Sequence, residues 1–344
     1  MKIYNTSSRK EEEIKEKDVK MVICGPTLYD YMHLGHARLF VLLDVFARYL
    51  RYEGYKPLML VVLTDIDPKI FKRAKELNID YKEFINRYKR EFIYDFSLLN
   101  IDLRNIIFAS ASDYLAQAHN NILQLIDKGY AYVNRSNVYF DITKIKDYGY
   151  LSEFRLKAVD LIEGKRSLYD FMLWNGREEF PNYIKSNVLG KGLPWWHIQD
   201  VSIALSNFNI YTLHAGATEL IYPHHEAQRA ILRVFNKEPK FWFHINLLTI
   251  NGEKMGKSKN NTILVRDAIL RYGLNTLRVY LLSKDYREEL EFREDDISMF
   301  HKKVKEIGYG GSDIEMNNLN SKEVVNKIES IKGSILEDVI GLKI

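Results

Sequence analysis

Residues 21–67 read MVICGPTLYDYMHLGHARLFVLLDVFARYLRYEGYKPLMLVVLTDID, and their patterning decides the fold. Met21 to Cys24 is a short apolar run halted by Gly25-Pro26, the punctuation expected where a buried strand ends. From Ala37 to Tyr52 apolar residues recur at Leu39, Leu42, Leu43, Phe46, Tyr49 and Leu50, a 3.6-residue period that predicts an amphipathic helix stopped at Gly54. Leu58 to Leu63 is apolar without alternation, as a parallel strand covered on both faces should be, and it closes on Thr64-Asp65. Strand, helix and strand make one βαβ unit within residues 1–70.

Working outward, residues 71–180 change character. Phe71 to Asn100 and Tyr114 to Asp127 read as helices, and Ala131 to Asp141 reads as strand, so this stretch is expected to be a connective insertion. The alternating pattern resumes over 181–262, with a helix at Trp196 to Asn207, a strand at Ile210 to His214, a helix at His224 to Phe235 and a strand at Phe241 to Ile250. Residues 263–344 read as a charged, mainly helical segment. The expected fold is α/β: a Rossmann-like, doubly wound parallel sheet with an inserted domain and a short helical C-terminal segment. In such sheets ligands bind beyond the carboxyl ends of the strands, where strand order reverses.

Composition narrows the classes. The 344 residues are 46% hydrophobic and 28% charged with a net charge of +4, which speaks against disorder and against a strongly basic nucleic-acid binder. One cysteine excludes an internal disulfide, the charged N-terminus lacks the apolar core of a signal peptide, and no apolar run reaches 18 residues. The expected compartment is cytoplasmic, with no membrane partner.

Two segments carry phosphate chemistry. His33-Leu34-Gly35-His36 opens the first helix, placing two imidazoles on one face beside a helix N-terminus whose free N–H groups suit an anion. Lys254-Met255-Gly256-Lys257-Ser258 forms a cationic loop after the last strand of the second half, able to follow charge developing on a leaving pyrophosphate. Either segment alone also suits an ordinary solvated helix face or surface loop; their joint placement at strand ends favours a common site.

HLGH and KMGKS resemble the two signature motifs of class I aminoacyl-tRNA synthetases. CGPTLYDYMHLGHAR, LTDID, YDFMLW, PWWHIQD and YPHHEAQ resemble, in order, stretches of cysteinyl-tRNA synthetases, from about Ile3 to about Lys303. The resemblance implies activation of an amino acid by ATP, carried with Mg2+, to an aminoacyl-adenylate, then transfer to an acceptor. It assigns His33, His36, Lys254 and Lys257 to catalysis and Gly35, Gly216, Glu219, Met255 and Ser258 to the nucleotide, although two glycines of the family's Gly-rich segment are alanines here and its Asp is Glu219. Thr27, Asp65, Trp196, Asp200 and Cys24 would face the amino acid.

The family also implies a zinc ion held by two cysteines, a histidine and a glutamate. The matching positions are Cys24, Asp200, His224 and Gln228, so two of the four differ, and a neutral amide is a poor zinc ligand. Three readings stand: zinc kept by Cys24, Asp200 and His224 with an open fourth position; no zinc, with Asp200 a bare carboxylate facing a cationic substrate; or a vestigial pocket. The acceptor is equally open. A tRNA acceptor end follows from the family, a small-molecule amine follows from the short paralogues that ligate cysteine to an amino-sugar, and a third reading is a non-catalytic pseudo-synthetase module. The stretch after the lysine loop is short for an anticodon-reading domain, and the resemblance implies a monomer.

Overall fold

A computed structural model describes residues 1–154, 165–176, 183–256, 259 and 261–306. The chain opens with a hairpin, β1 (Lys2–Asn5) and β2 (Lys10–Glu13), followed by β3 (Asp18–Thr27), α1 (Leu34–Tyr52) and β4 (Lys56–Thr64). Helices α2 (Pro68–Glu76) and α3 (Tyr81–Leu98) lead to β5 (Ile106–Ser110) and α4 (Leu115–Asp127). Strands β6 (Ala131–Asn134), β7 (Asn137–Phe140), β8 (Phe171–Asn175), β9 (Ile184–Ser186) and β10 (Gly190–Pro194) come next. After them lie α5 (Trp196–Phe208), β11 (Leu213–Ala217), α6 (Glu226–Val234) and β12 (Phe241–Ile245). The last described elements are β13 (Leu248–Ile250), β14 (Glu253–Lys254), α7 (Val265–Tyr272), α8 (Leu274–Leu281), β15 (Leu290–Glu291) and α9 (Glu294–Glu306).

The central sheet is parallel, in the order β12-β11-β3-β4-β5. Its strands read as continuous apolar runs because both faces are covered: Met21, Ile23, Met59, Val61 and Leu63 enter one core, while Val22, Leu60 and Val62 enter the other. The first core is closed by α1, α3, α7 and α8, the second by α5 and α6. A ladder irregularity between Cys24 and Thr27 turns the end of β3, and Gly25 sits so close to β4 that a Cβ there would meet the Val62 carbonyl oxygen at 2.1 Å.

Three sequence expectations need correction. The insertion expected from residue 71 does not start there, because β5 pairs in parallel with β4 from Met59↔Ile106 to Leu63↔Ser110 and so extends the nucleotide-binding sheet. Phe92 and Phe96 of α3 pack on Phe40 of α1 in the same core. We propose that the inserted unit is instead the antiparallel sheet β6-β7-β8-β10-β9. The strand expected at Ile210 begins at Leu213, since Asn209 takes a positive φ of 53° and Ile210 is 63% exposed. The strand expected from Phe241 to Ile250 breaks at Asn246, whose side-chain oxygen accepts from the Leu247 N–H and the Thr218 hydroxyl; β13 then joins β14 and β15. Of the segment 263–344, residues after 306 lie outside the described part. Among the described residues no helix is long and apolar enough to cross a membrane.

Candidate active site

From β3 the chain winds outward to β4 and β5, then returns on the other side of β3 to make β11 and β12. The switch point lies between β3 and β11, whose registered pairs include Ala215↔Ile23. A cleft of about 490 Å³ opens there, lined by Thr27, His33, Gly35, His36, Glu219, Lys254 and Met255.

His33 is the N-cap of α1, in extended conformation, with its Nδ1 accepting from the Gly35 N–H at 3.1 Å. A Cβ on Gly35 would stand 3.0 Å from the His33 ring, so a bare Cα lets the ring fold back over the turn. The His33 and His36 rings stack with centroids 3.7 Å apart. Burial pushes the His33 imidazole down to about 4, helped by nearby Lys254, and pushes His36 well below its ordinary range, with His33 and Lys254 adding to the effect. Both rings are therefore neutral at pH 7 and offer N–H donors rather than charge. The His36 Nδ1 is buried without a hydrogen-bond partner.

Lys254 reaches across the cleft to an ion pair with Glu219, both side chains partly exposed. Such a pair is weak. Met255 lines the cleft but is 2% exposed and belongs to the core. Lys257 and Ser258 lie outside the described residues.

One expected residue is placed elsewhere. Asp65 does not face this cleft: its Oδ1 accepts from the Ser112 N–H at 2.9 Å and its Oδ2 from the Ser112 hydroxyl at 2.5 Å, and it lines a separate hollow with Tyr81 and Lys89. Ser112 is on the 3-10 turn after β5, within the stretch 71–180 that the sequence assigns to the insertion. Gly216 precedes the cleft-lining Ala217 and backs onto His225, where a Cβ would approach the imidazole to 2.6 Å. Thr27 lines both the main cleft and an adjoining, more apolar hollow with Trp195 and Trp196.

Behind Thr27 the four positions matched to zinc do converge. Cys24 Sγ lies 3.4 Å from Asp200 Oδ2 and 3.4 Å from Gln228 Nε2. His224 Nε2 lies 2.9 Å from Asp200 Oδ2 and 2.6 Å from Gln228 Nε2. Trp196 stacks flat on His224 at 3.8 Å, walling the cluster. The histidine shell is deeper than the four-residue ligand set that the resemblance implies. His214 and His225 each bring Nε2 to 3.3 Å from Cys24 Sγ, His225 is held by His244 at 2.7 Å, and His224 by His197 at 2.8 Å. Nothing within FWFHI marks His244; its register opposite Gly216 on β11 is what brings it to the cluster.

As a donor set, Cys24, His224 and His225 place ligand atoms within 4.8 Å of one another, and Asp200 Oδ1 and Gln228 Oε1 are buried acceptors without partners. One thiolate, imidazoles and a carboxylate fit a zinc-type ion. Gln228 does not add to that fit.

The family described as tRNA synthetases class I (C) catalytic domain matches residues 10–302 of this chain. A protein named cysteine-tRNA ligase from Thermoplasma acidophilum is 37% identical over 318 residues, covering 89% of this chain and 70% of that protein. One of the same name from Thermococcus gammatolerans is 38% identical over 310 residues, covering 86% of this chain and 64% of that protein. The chain thus spans 64 to 70% of the length of these two relatives. Among solved structures, a Mycobacterium tuberculosis methionyl-tRNA synthetase in complex with methionyl-adenylate superposes with a TM-score of 0.67 at 14% identity, covering 82% of this chain and 67% of that one. That likeness shows a shared Rossmann-like fold.

Proposed function

The chain belongs to the family of class I (C) tRNA synthetase catalytic domains, and from that membership we propose that it activates an amino acid with ATP and Mg2+ and passes the aminoacyl group to a tRNA acceptor end. The observation that carries this reading is the meeting of His33, His36, Glu219 and Lys254 around one cleft at the switch point of the sheet. A carboxylate oxygen of the amino acid attacks the α-phosphorus of ATP, the α–β phosphoanhydride bond breaks, and its electron pair leaves on pyrophosphate. The acceptor hydroxyl then attacks the acyl carbon and AMP departs. No side chain needs to act as a nucleophile; the protein supplies position and charge compensation.

In this scheme the neutral His33 and His36 donate N–H bonds to phosphate oxygens at the start of α1, adding to the helix N-terminus. Lys254, freed from Glu219, follows the charge onto pyrophosphate, and Glu219 turns to a ribose hydroxyl. Thr27 and Trp196 border the amino-acid side. Cys24, His224 and Asp200, with His225 within reach, would hold a zinc-type ion, which when bound supplies a Lewis acid selective for a substrate thiol. Cysteine is accordingly the first substrate to try. Asp65 has no part in the scheme.

ATP–pyrophosphate exchange against all amino acids, followed by charging of total tRNA, tests the reading. Exchange with cysteine and charging are expected; no exchange with any amino acid, together with no ATP binding in calorimetry, overturns it. The purified protein is also expected to carry about one equivalent of zinc, reduced at least tenfold by Cys24→Ala. Elemental analysis checks this, and equal zinc in both proteins would remove Cys24 from the centre.

A further inference from the structure

His33 and Lys254 stand far apart in the chain, yet they must address one triphosphate. The link between them runs through backbone and one buried carboxylate. On the lysine-loop side, Asn261 ties the loop to itself, its Oδ1 accepting from the Gly256 N–H at 2.8 Å and its amide donating to the Lys254 carbonyl at 3.1 Å. Just beyond, the chain runs antiparallel to the histidine turn: Leu34 N–H donates to Ile263 O at 3.0 Å, Val265 N–H donates to Met32 O at 2.9 Å, and His33 bridges Leu264.

Asp95 of α3 closes this junction. Its side chain is fully buried, its Oδ2 accepts from the Met32 N–H at 3.2 Å, and its Oδ1 accepts from the Arg266 Nε–H at 2.7 Å. Arg266 also reaches the Glu91 carboxylate at 2.5 Å and lies over the Tyr31 ring at 4.8 Å. One carboxylate therefore grips the residue before His33 with one oxygen and the first turn of α7 with the other. A charge-assisted bond to a buried carboxylate has a narrow geometry, so it fixes register rather than merely adding adhesion.

We propose that Asp95 and Arg266 are a positioning pair that holds the His33–His36 turn and the lysine-loop strap in one register, and thereby sets the rate of adenylate formation. The inference rests on the adenylate-forming reading above. Displacement of reacting groups by about 1 Å can cost on the order of 100-fold in rate. Neither residue touches substrate, so the effect should fall on turnover.

The test compares wild type with Arg266→Gln, Arg266→Lys, Asp95→Asn and the double variant Asp95→Asn/Arg266→Gln. The amide introduced by Asp95→Asn can still accept from Met32 but carries no charge to pair with Arg266. Turnover per active site in pyrophosphate exchange, normalised by active-site titration, is expected to fall about 10- to 100-fold in Arg266→Gln and Asp95→Asn, with the amino-acid KM within about twofold. Arg266→Lys should recover part of the loss, and the double variant should be no slower than the slower single variant, since the two residues act through one bond. Unchanged turnover per active site, with only fewer active sites, overturns the proposal by making the pair purely structural, and so does additivity in the double variant. If Asp95→Asn fails to fold, the Arg266 variants decide. Hydrogen exchange at the Leu34 and Val265 amides is read in parallel on the whole chain. Faster exchange in Arg266→Gln supports the clamp and unchanged exchange overturns it, even if wild type activates no amino acid and the adenylate reading itself falls.

Discussion

His36→Ala is expected to slow ATP–pyrophosphate exchange by about 100- to 1,000-fold, the range seen when a preorganised donor to a developing charge is removed. The imidazole is neutral because burial holds its proton affinity down, and its neighbour His33 is stacked on it at 3.7 Å. A neutral donor in a desolvated cleft carries little ground-state attraction for ATP, so its contribution concentrates where charge shifts from the α-phosphorus toward pyrophosphate. Calorimetric ATP affinity should accordingly change by no more than about fivefold while turnover collapses, the signature of an interaction made chiefly in the transition state. Exchange within about twofold of wild type would exclude His36 from the chemistry. His33→Ala is a less clean probe, because it also removes the cap of α1, worth about 1 kcal/mol.

Acid should unfold this protein early. In the unfolded chain each histidine takes up a proton near pH 6.5. In the fold, burial delays that event to about 4 for His33 and about 3 for His244, and well below the ordinary range for His36. Between pH 6.5 and 4 the unfolded state thus binds more protons than the native state, so stability falls as pH falls and the loss levels off below the folded values. From pH 7 to pH 5, His33 and His244 alone remove roughly 4 kcal/mol, a large share of the 5 to 15 kcal/mol typical of a domain, and His36 acts in the same direction. Urea unfolding at the two pH values checks this. A free energy unchanged between them would mean that these imidazoles are not buried in neutral form.

Both predictions lean on features of different legibility. The first βαβ unit, the helix opened by His33 and the crevice at the strand ends were readable because each is local: apolar period, strand-end Gly-Pro and helix-start histidines act over a few residues. The four positions Cys24, Asp200, His224 and Gln228 were brought together as the resemblance implied. What surrounds them was not readable. His244 reaches the cluster only because β12 and β11 pair with His244 opposite Gly216, a register no local pattern encodes.

The same limit explains the misplacements. β5 is a five-residue strand, IIFAS, and nothing within it says whether it extends the parallel sheet or opens an insertion; the ladder with β4 decides. Once β5 lies there, the following loop brings Ser112 to Asp65 and takes that carboxylate away from the cleft.

By itself, the sequence determined that this is a doubly wound α/β chain whose first helix opens on a histidine pair, since hydrophobic period and chain reversals are short-range physics. Tertiary structure alone decided which side chains share a cavity: the histidine shell around Cys24, the retreat of Asp65, and the hold of Asp95 on both Met32 and Arg266. Those contacts join residues as many as 201 positions apart, as between Cys24 and His225, and their geometry exists only after strand order and register have been chosen.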